Sequence, residues 1–140
     1  MRLLSAVLLL ALAPSVHAQA DTIQDTLDEF AALMTDMEQT LPLRPTVVTT
    51  DEDGLATLNV DLEAGPDYML LLVTDRDGDL DPDADLLDPA GASIATAFGT
   101  GTQETLAFVV PESGLHTVQV EVFGCAASCR VGVAIATTLE

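Results

Sequence analysis

The 140-residue chain sets 23 acidic side chains against four arginines and no lysine, a formal charge of −19. A surface this acidic repels nucleic acid and anionic membranes, which excludes both as partners. It also suits a salt-rich medium, where the Debye length falls to about 3 Å at 1 M, so an ion-independent structural module of a halophilic organism accounts for the composition as well.

Residues 1–20, MRLLSAVLLLALAPSVHAQA, place Arg2 before an apolar run from Leu3 to Ala13, then Pro14 and small residues. This is the pattern of a secretory signal peptide. Cleavage after Ala18 and cleavage after Ala20 both satisfy the small-residue rule. The apolar run is too short for a permanent anchor. The expected product is therefore periplasmic or secreted, without membrane insertion after signal cleavage. Roughly 120 residues remain, the size of one domain, with Arg44, Arg76 and Arg130 as the cations.

From Asp21 to Thr40, Ile23, Leu27, Phe30, Met34 and Met37 recur at steps of four and three. The spacing predicts one amphipathic helix within 21–41, ended by Pro42 and Pro45. Beyond it the pattern alternates at period two, and turn signals such as Asp53-Gly54, Gly65-Pro66, Asp77-Gly78 and Asp88-Pro89-Ala90-Gly91 bound runs of strand length. Strands are expected at about 46–50, 55–63, 67–74, 84–87, 93–98, 104–110, 115–123 and 130–137. Seven to eight short strands after one helix predict a mainly β chain, an antiparallel β-sandwich spanning 46–140. The run Tyr68 to Val73, YMLLLV, is apolar on both faces. Its outer side needs a cover, and the helix is the natural one.

The segment Asp75 to Gly91, DRDGDLDPDADLLDPAG, carries Asp at 75, 77, 79, 81, 83, 85 and 88. Two carboxylates about 4 Å apart repel by roughly 1 kcal/mol even in bulk water. Such a run needs either a hard cation or full solvation. Calcium, with six to eight oxygen ligands in irregular geometry, is the natural ion. The expected ligands are Asp75, Asp77, Asp79, Asp81 and Asp83, with a dissociation constant on the order of 10⁻⁴ to 10⁻³ M as in extracellular modules. Asp88 is expected to cap its own turn instead. The rival is a solvated acidic loop.

Two stretches carry a family likeness. Asp81, Asp83, Asp88, Pro89 and Gly91 fit a D-x-D-L-x-L-x-D-P-x-G pattern, and Phe108, Val110, Pro111, Ser113, Gly114, Val118 and Val120 fit F-x-V-P-x-S-G-x-Y-x-V-x-V. Together they resemble the bacterial pre-peptidase C-terminal (PPC) domain family over about residues 46–137. The chain departs from it at His116, where the family has Tyr, and at Ala84, where a larger apolar residue is usual. The resemblance implies a jelly-roll-like β-sandwich, a non-catalytic module of secreted proteins that sometimes holds calcium. The partner would be a protein or an envelope component.

Cys125 and Cys129 are the two cysteines, and in an oxidising compartment they are expected to form a disulfide rather than a redox or metal pair. Catalysis finds little to work with. His116 shares parity with Val118 and Val120, which makes it a core imidazole rather than a general base, and no serine lies in a G-x-S-x-G elbow. Many carboxylates would permit a secreted glycoside hydrolase, but nothing selects one pair.

Overall fold

A computed structural model describes residues 21–75 and 79–138. The expected signal peptide lies outside them, as do Asp77 and the turn expected at Asp77-Gly78. The described elements are α1 (Thr22–Asp36), β1 (Leu43–Thr49), β2 (Leu55–Leu62), β3 (Tyr68–Val73), β4 (Asp81–Leu87), β5 (Ser93–Ala97), β6 (Gln103–Phe108), β7 (Gly114–Phe123) and β8 (Arg130–Thr137).

The strands form two four-stranded antiparallel sheets, the first in the order β1-β8-β3-β6 and the second in the order β2-β7-β4-β5. Both orders follow from one long hairpin. β4 pairs with β5, β3 with β6, β2 with β7 and β1 with β8, like rungs counted outward from a tip at Asp88–Gly91. Successive rungs fall in opposite sheets, which gives the eight-stranded jelly-roll order. The tip is closed by Asp88, whose Oδ1 accepts from the amides of Ala90 (2.9 Å) and Ala92 (2.8 Å). Gly91 there adopts φ +88°, which a side chain would strain.

The core lies between the sheets and includes Val60, Leu70, Leu72, Leu86, Val118 and Ile135. A second, smaller core lies outside the first sheet. There Leu71, Val73 and Ala134 meet Ile23 and Leu27 of α1, with Phe30 and Val47 at the margin. The helix therefore covers β1, β8 and β3. Fully burying a Leu or Ile contributes about 1.5–3 kcal/mol, so Ile23 and Leu27 suffice to hold it down. Gly132 of β8 makes the seat: a Cβ there would stand 2.8 Å from Ile23 Cγ2 and from Val73 Cγ1.

The helix starts at its cap, where Asp21 accepts from the Gln24 amide (3.3 Å). It ends at Asp36, short of Thr40, because Glu38 takes a left-handed φ of 58°. Met37, at the end of the stripe, is left exposed.

Two strands begin three residues earlier than the pattern predicts, and both contain proline. β1 starts at Leu43 because Pro45 falls on an edge strand where the register shifts between Leu43 and Thr46. β4 starts at Asp81 because β5 pairs only from Ala84 onward, so Pro82 lies where one edge of β4 has no partner strand.

Candidate functional site

The earlier start of β4 changes what the aspartates are. Asp81, Asp83 and Asp85 alternate with buried Pro82, Ala84 and Leu86, so they stand on the outer face of the second sheet. Asp79 is exposed on the connection before them. Asp75 lies on the helix side, where it accepts from the Thr22 hydroxyl (3.1 Å). The connection crosses from the first sheet to the second and divides the predicted ligand set, and Asp77 lies outside the described residues. Among the described residues, no three of His, Cys, Asp and Glu gather closely enough to hold a metal ion.

Sheet register assembles a different group. Leu55, Glu121 and Asp83 form one row across β2, β7 and β4. Thr57, Gln119, Asp85 and Thr96 form the next, and Phe123 stands opposite Asp81. These rows line a shallow hollow of about 270 Å³ bounded by Leu55, Asp83, Asp85, Thr96, Gln119 and Glu121. Asp85 is held by the hydroxyls of Ser93 and Thr96. Asp81 Oδ1 and Asp83 Oδ1 are buried without a hydrogen-bond partner among the described residues. Burial and then the neighbouring Asp81 charge hold the Asp83 carboxyl above its usual range, and the Gly99 amide opposes them. Asp83 also faces Glu121 directly, and like charges so placed cost about 0.2–1 kcal/mol.

Glu121 was not legible as part of an acidic site, because it lies 38 positions from Asp83 in the chain and only the β4–β7 register joins them. Its signal is its odd-numbered parity on β7, shared with Gln119 and Phe123.

A second charged group fixes the helix start. Arg130 Nη2 donates to Asp21 Oδ2 (2.7 Å), which holds the Asp21 carboxyl below its usual range, helped by the Gln24 amide. The contact is exposed and contributes little to stability.

Cys125 and Cys129 are joined with their Cα atoms 6.0 Å apart. Their turn clasps the end of β1: the Thr50 amide donates to the Cys129 carbonyl (2.8 Å), and the Cys129 amide donates to Thr50 Oγ1 (2.9 Å). So short a loop gives about 2 kcal/mol. Replacing both cysteines with alanine should lower stability by that amount and leave the fold intact. A denaturant titration compared with and without reductant checks it.

His116 is fully buried, with Nδ1 against the Gly114 carbonyl (2.9 Å) and Nε2 without a partner among the described residues. The ring has no route to a substrate. Ser113 Oγ accepts from the Ala64 amide (2.8 Å), and Ser93 is taken by Asp85. No helix among the described residues is long and apolar enough to cross a membrane.

No protein-family model matches the chain, and no curated protein matches it. Among solved structures it is similar to Aeromonas hydrophila PliG, a periplasmic lysozyme inhibitor of g-type lysozyme, at 14% identity and a TM-score of 0.43, over 67% of this chain and 86% of that one. It is also similar to Bacillus licheniformis lipase BlEst2 in its propeptide form, at 16% identity and a TM-score of 0.43, over 66% of this chain and 21% of that one. Likenesses at this level carry no statement about function.

Proposed function

We propose that the chain is an exported, non-catalytic β-sandwich module that works by binding a protein or envelope component, with calcium held where the β3–β4 connection enters β4. The PPC likeness belongs to this reading, as does processing of residues 1–20. Export is supported by the Cys125–Cys129 bond, which forms and persists in oxidising compartments. The observation that carries the cation is the pair of buried, unpartnered oxygens on Asp81 and Asp83. Carboxylate oxygens are what a hard ion takes, and among the described residues this pair would supply its side-chain ligands. Water and main-chain oxygens would complete the shell.

The test is thermal unfolding in about 0.5 M NaCl, which screens general charge effects, with chelator, with millimolar calcium and with magnesium. Calcium at 100 times its dissociation constant should add about 2.7 kcal/mol. Asp83→Asn sharpens the test because its sign reverses with the ion. Without calcium, an Asp whose folded pKa is raised destabilises the fold above that pKa and ceases to do so below its unfolded pKa. Stability attributable to Asp83 therefore falls as pH rises through the carboxylate range. In chelator at pH 7, Asp83→Asn should raise stability by about 0.2–1 kcal/mol, and the gain should vanish in acid. With calcium present, the same variant should lose the calcium increment. Equal responses to calcium, magnesium and plain salt would leave the ion-independent module of a halophile as the correct reading.

A further inference from the structure

We propose that the outer face of the second sheet docks a basic polypeptide, whose arginine or lysine side chains seat on Asp83, Asp85 and Glu121 while its apolar groups pack on Leu55, Phe98 and Phe123. The inference rests on the reading of the chain as a binding module and names the chemistry of its partner. The helix lies on the first sheet, against β1, β8 and β3. The second sheet turns a four-strand face to solvent, and at one end of it stand Leu55, 46% exposed, and Phe123, 48% exposed, with Phe98 at 76% just beyond β5.

Charge selects the occupant. β2, β4, β5 and β7 contain neither Lys nor Arg, while Asp81, Asp83, Asp85 and Glu121 share adjoining rows. Arg44 and Arg130 both belong to the first sheet. Alternate residues of a strand are spaced at about 6.6–6.8 Å, so one ion does not span the three β4 carboxylates, whereas several guanidinium or ammonium groups on a partner surface do. Apolar side chains beside them give the stems and neighbours of those cations something to cover. Nucleic acid and anionic lipid are repelled by the same face.

The test uses protein recovered from the exported fraction, ¹⁵N-labelled and titrated in chelator, so that no calcium competes for Asp83, with a peptide of roughly twelve residues alternating Arg and Leu at physiological ionic strength. Amide shifts should concentrate at Leu55, Asp83, Asp85, Gln119, Glu121 and Phe98. Glu121→Lys with Phe98→Ser should weaken binding at least about tenfold, as loss of a central charge and an aromatic anchor does. A charge-matched control at the opposite end of the sandwich, Glu112→Lys with Val109→Ser, should weaken it less than about twofold. All four side chains are exposed, so neither variant should melt below wild type, and relief of the Asp83–Glu121 repulsion should raise the first of them slightly. Equal losses in the two variants would overturn the proposal, since the net charge alone would then be attracting the peptide. Shifts spread along α1 and the first sheet would overturn it too, as would calcium alone moving these amides while the peptide moves none. Failure of the underlying reading looks different: a hydrolytic turnover abolished by replacing one Asp would remove the binding module as an explanation and leave the peptide shift map as measured.

Discussion

Gly132→Val should lower the unfolding free energy by about 3 kcal/mol, the upper part of the range for overpacking. Gly132 has no left-handed backbone to protect. Its constraint is space, because a Cβ would lie 2.8 Å from Ile23 Cγ2 and Val73 Cγ1 and 3.0 Å from Leu27 Cδ1. These atoms belong to buried side chains packed between the helix and the sheet, so none can swing into solvent without lifting α1. If the helix lifts, the burial of Ile23 and Leu27 is lost instead, at about 1.5–3 kcal/mol each. Either route gives a loss of similar size, and a double-mutant cycle separates them. Ile23→Ala alone should cost about 2–5 kcal/mol by opening a cavity at the same point. Combined with Gly132→Val, the cavity receives the added methyl groups, and the double variant should be at least about 1 kcal/mol more stable than the sum of the single losses. Strict additivity in a denaturant titration would mean that the helix does not use Gly132 as its seat.

His116→Ala should cost about 3 kcal/mol, whereas His116→Leu should cost almost nothing or stabilise the protein. Both substitutions remove the hydrogen bond from Nδ1 to the Gly114 carbonyl, which contributes about 0.5–1.5 kcal/mol. Alanine also leaves a cavity at a fully buried position, with the added cost of large-to-small changes. Both substitutions also remove Nε2, a buried acceptor without a donor among the described residues, whose desolvation costs about 1–3 kcal/mol, but leucine fills nearly the same volume and is left with only the lost bond and this relief. The two effects oppose and approximately cancel. Melting temperatures of the two variants check this ordering. A Leu variant as damaged as the Ala variant would show that the imidazole has a buried polar partner, such as an ordered water, that holds Nε2.

The β-sandwich and its helix were legible because each rests on a local period. The stripe Ile23, Leu27 and Met34 is buried on α1, and the two-faced strand Tyr68–Val73 lies with one side in the main core and the other under the helix. Proline misled the start of β1 at Pro45, and the aspartate run, taken as a loop, hid the start of β4, since only the sheet order reveals an edge or an unpartnered margin. The acidic site was half legible. Asp81 and Asp83 were singled out, but as members of a loop, and the parity that places them on a sheet face depends on where β4 begins. Glu121 and Leu55 join them through register alone, which follows from how the long hairpin rolls up and leaves no mark on the neighbours of either residue.

The rung order of the hairpin also dictates when the molecule can be finished. β8 lies between β1 and β3, and it carries Gly132 and Ala134, the floor on which the helix rests. A chain that emerges from the ribosome or threads a translocation channel with its N-terminus leading therefore presents α1 and β1 long before β8, the strand on which both of them pack. Closing loops that long is slow. Until residues 130–137 arrive, β1 and β3 have no strand between them and the helix lacks the centre of its floor, so the first sheet and its helix are completed only as the last strand is delivered.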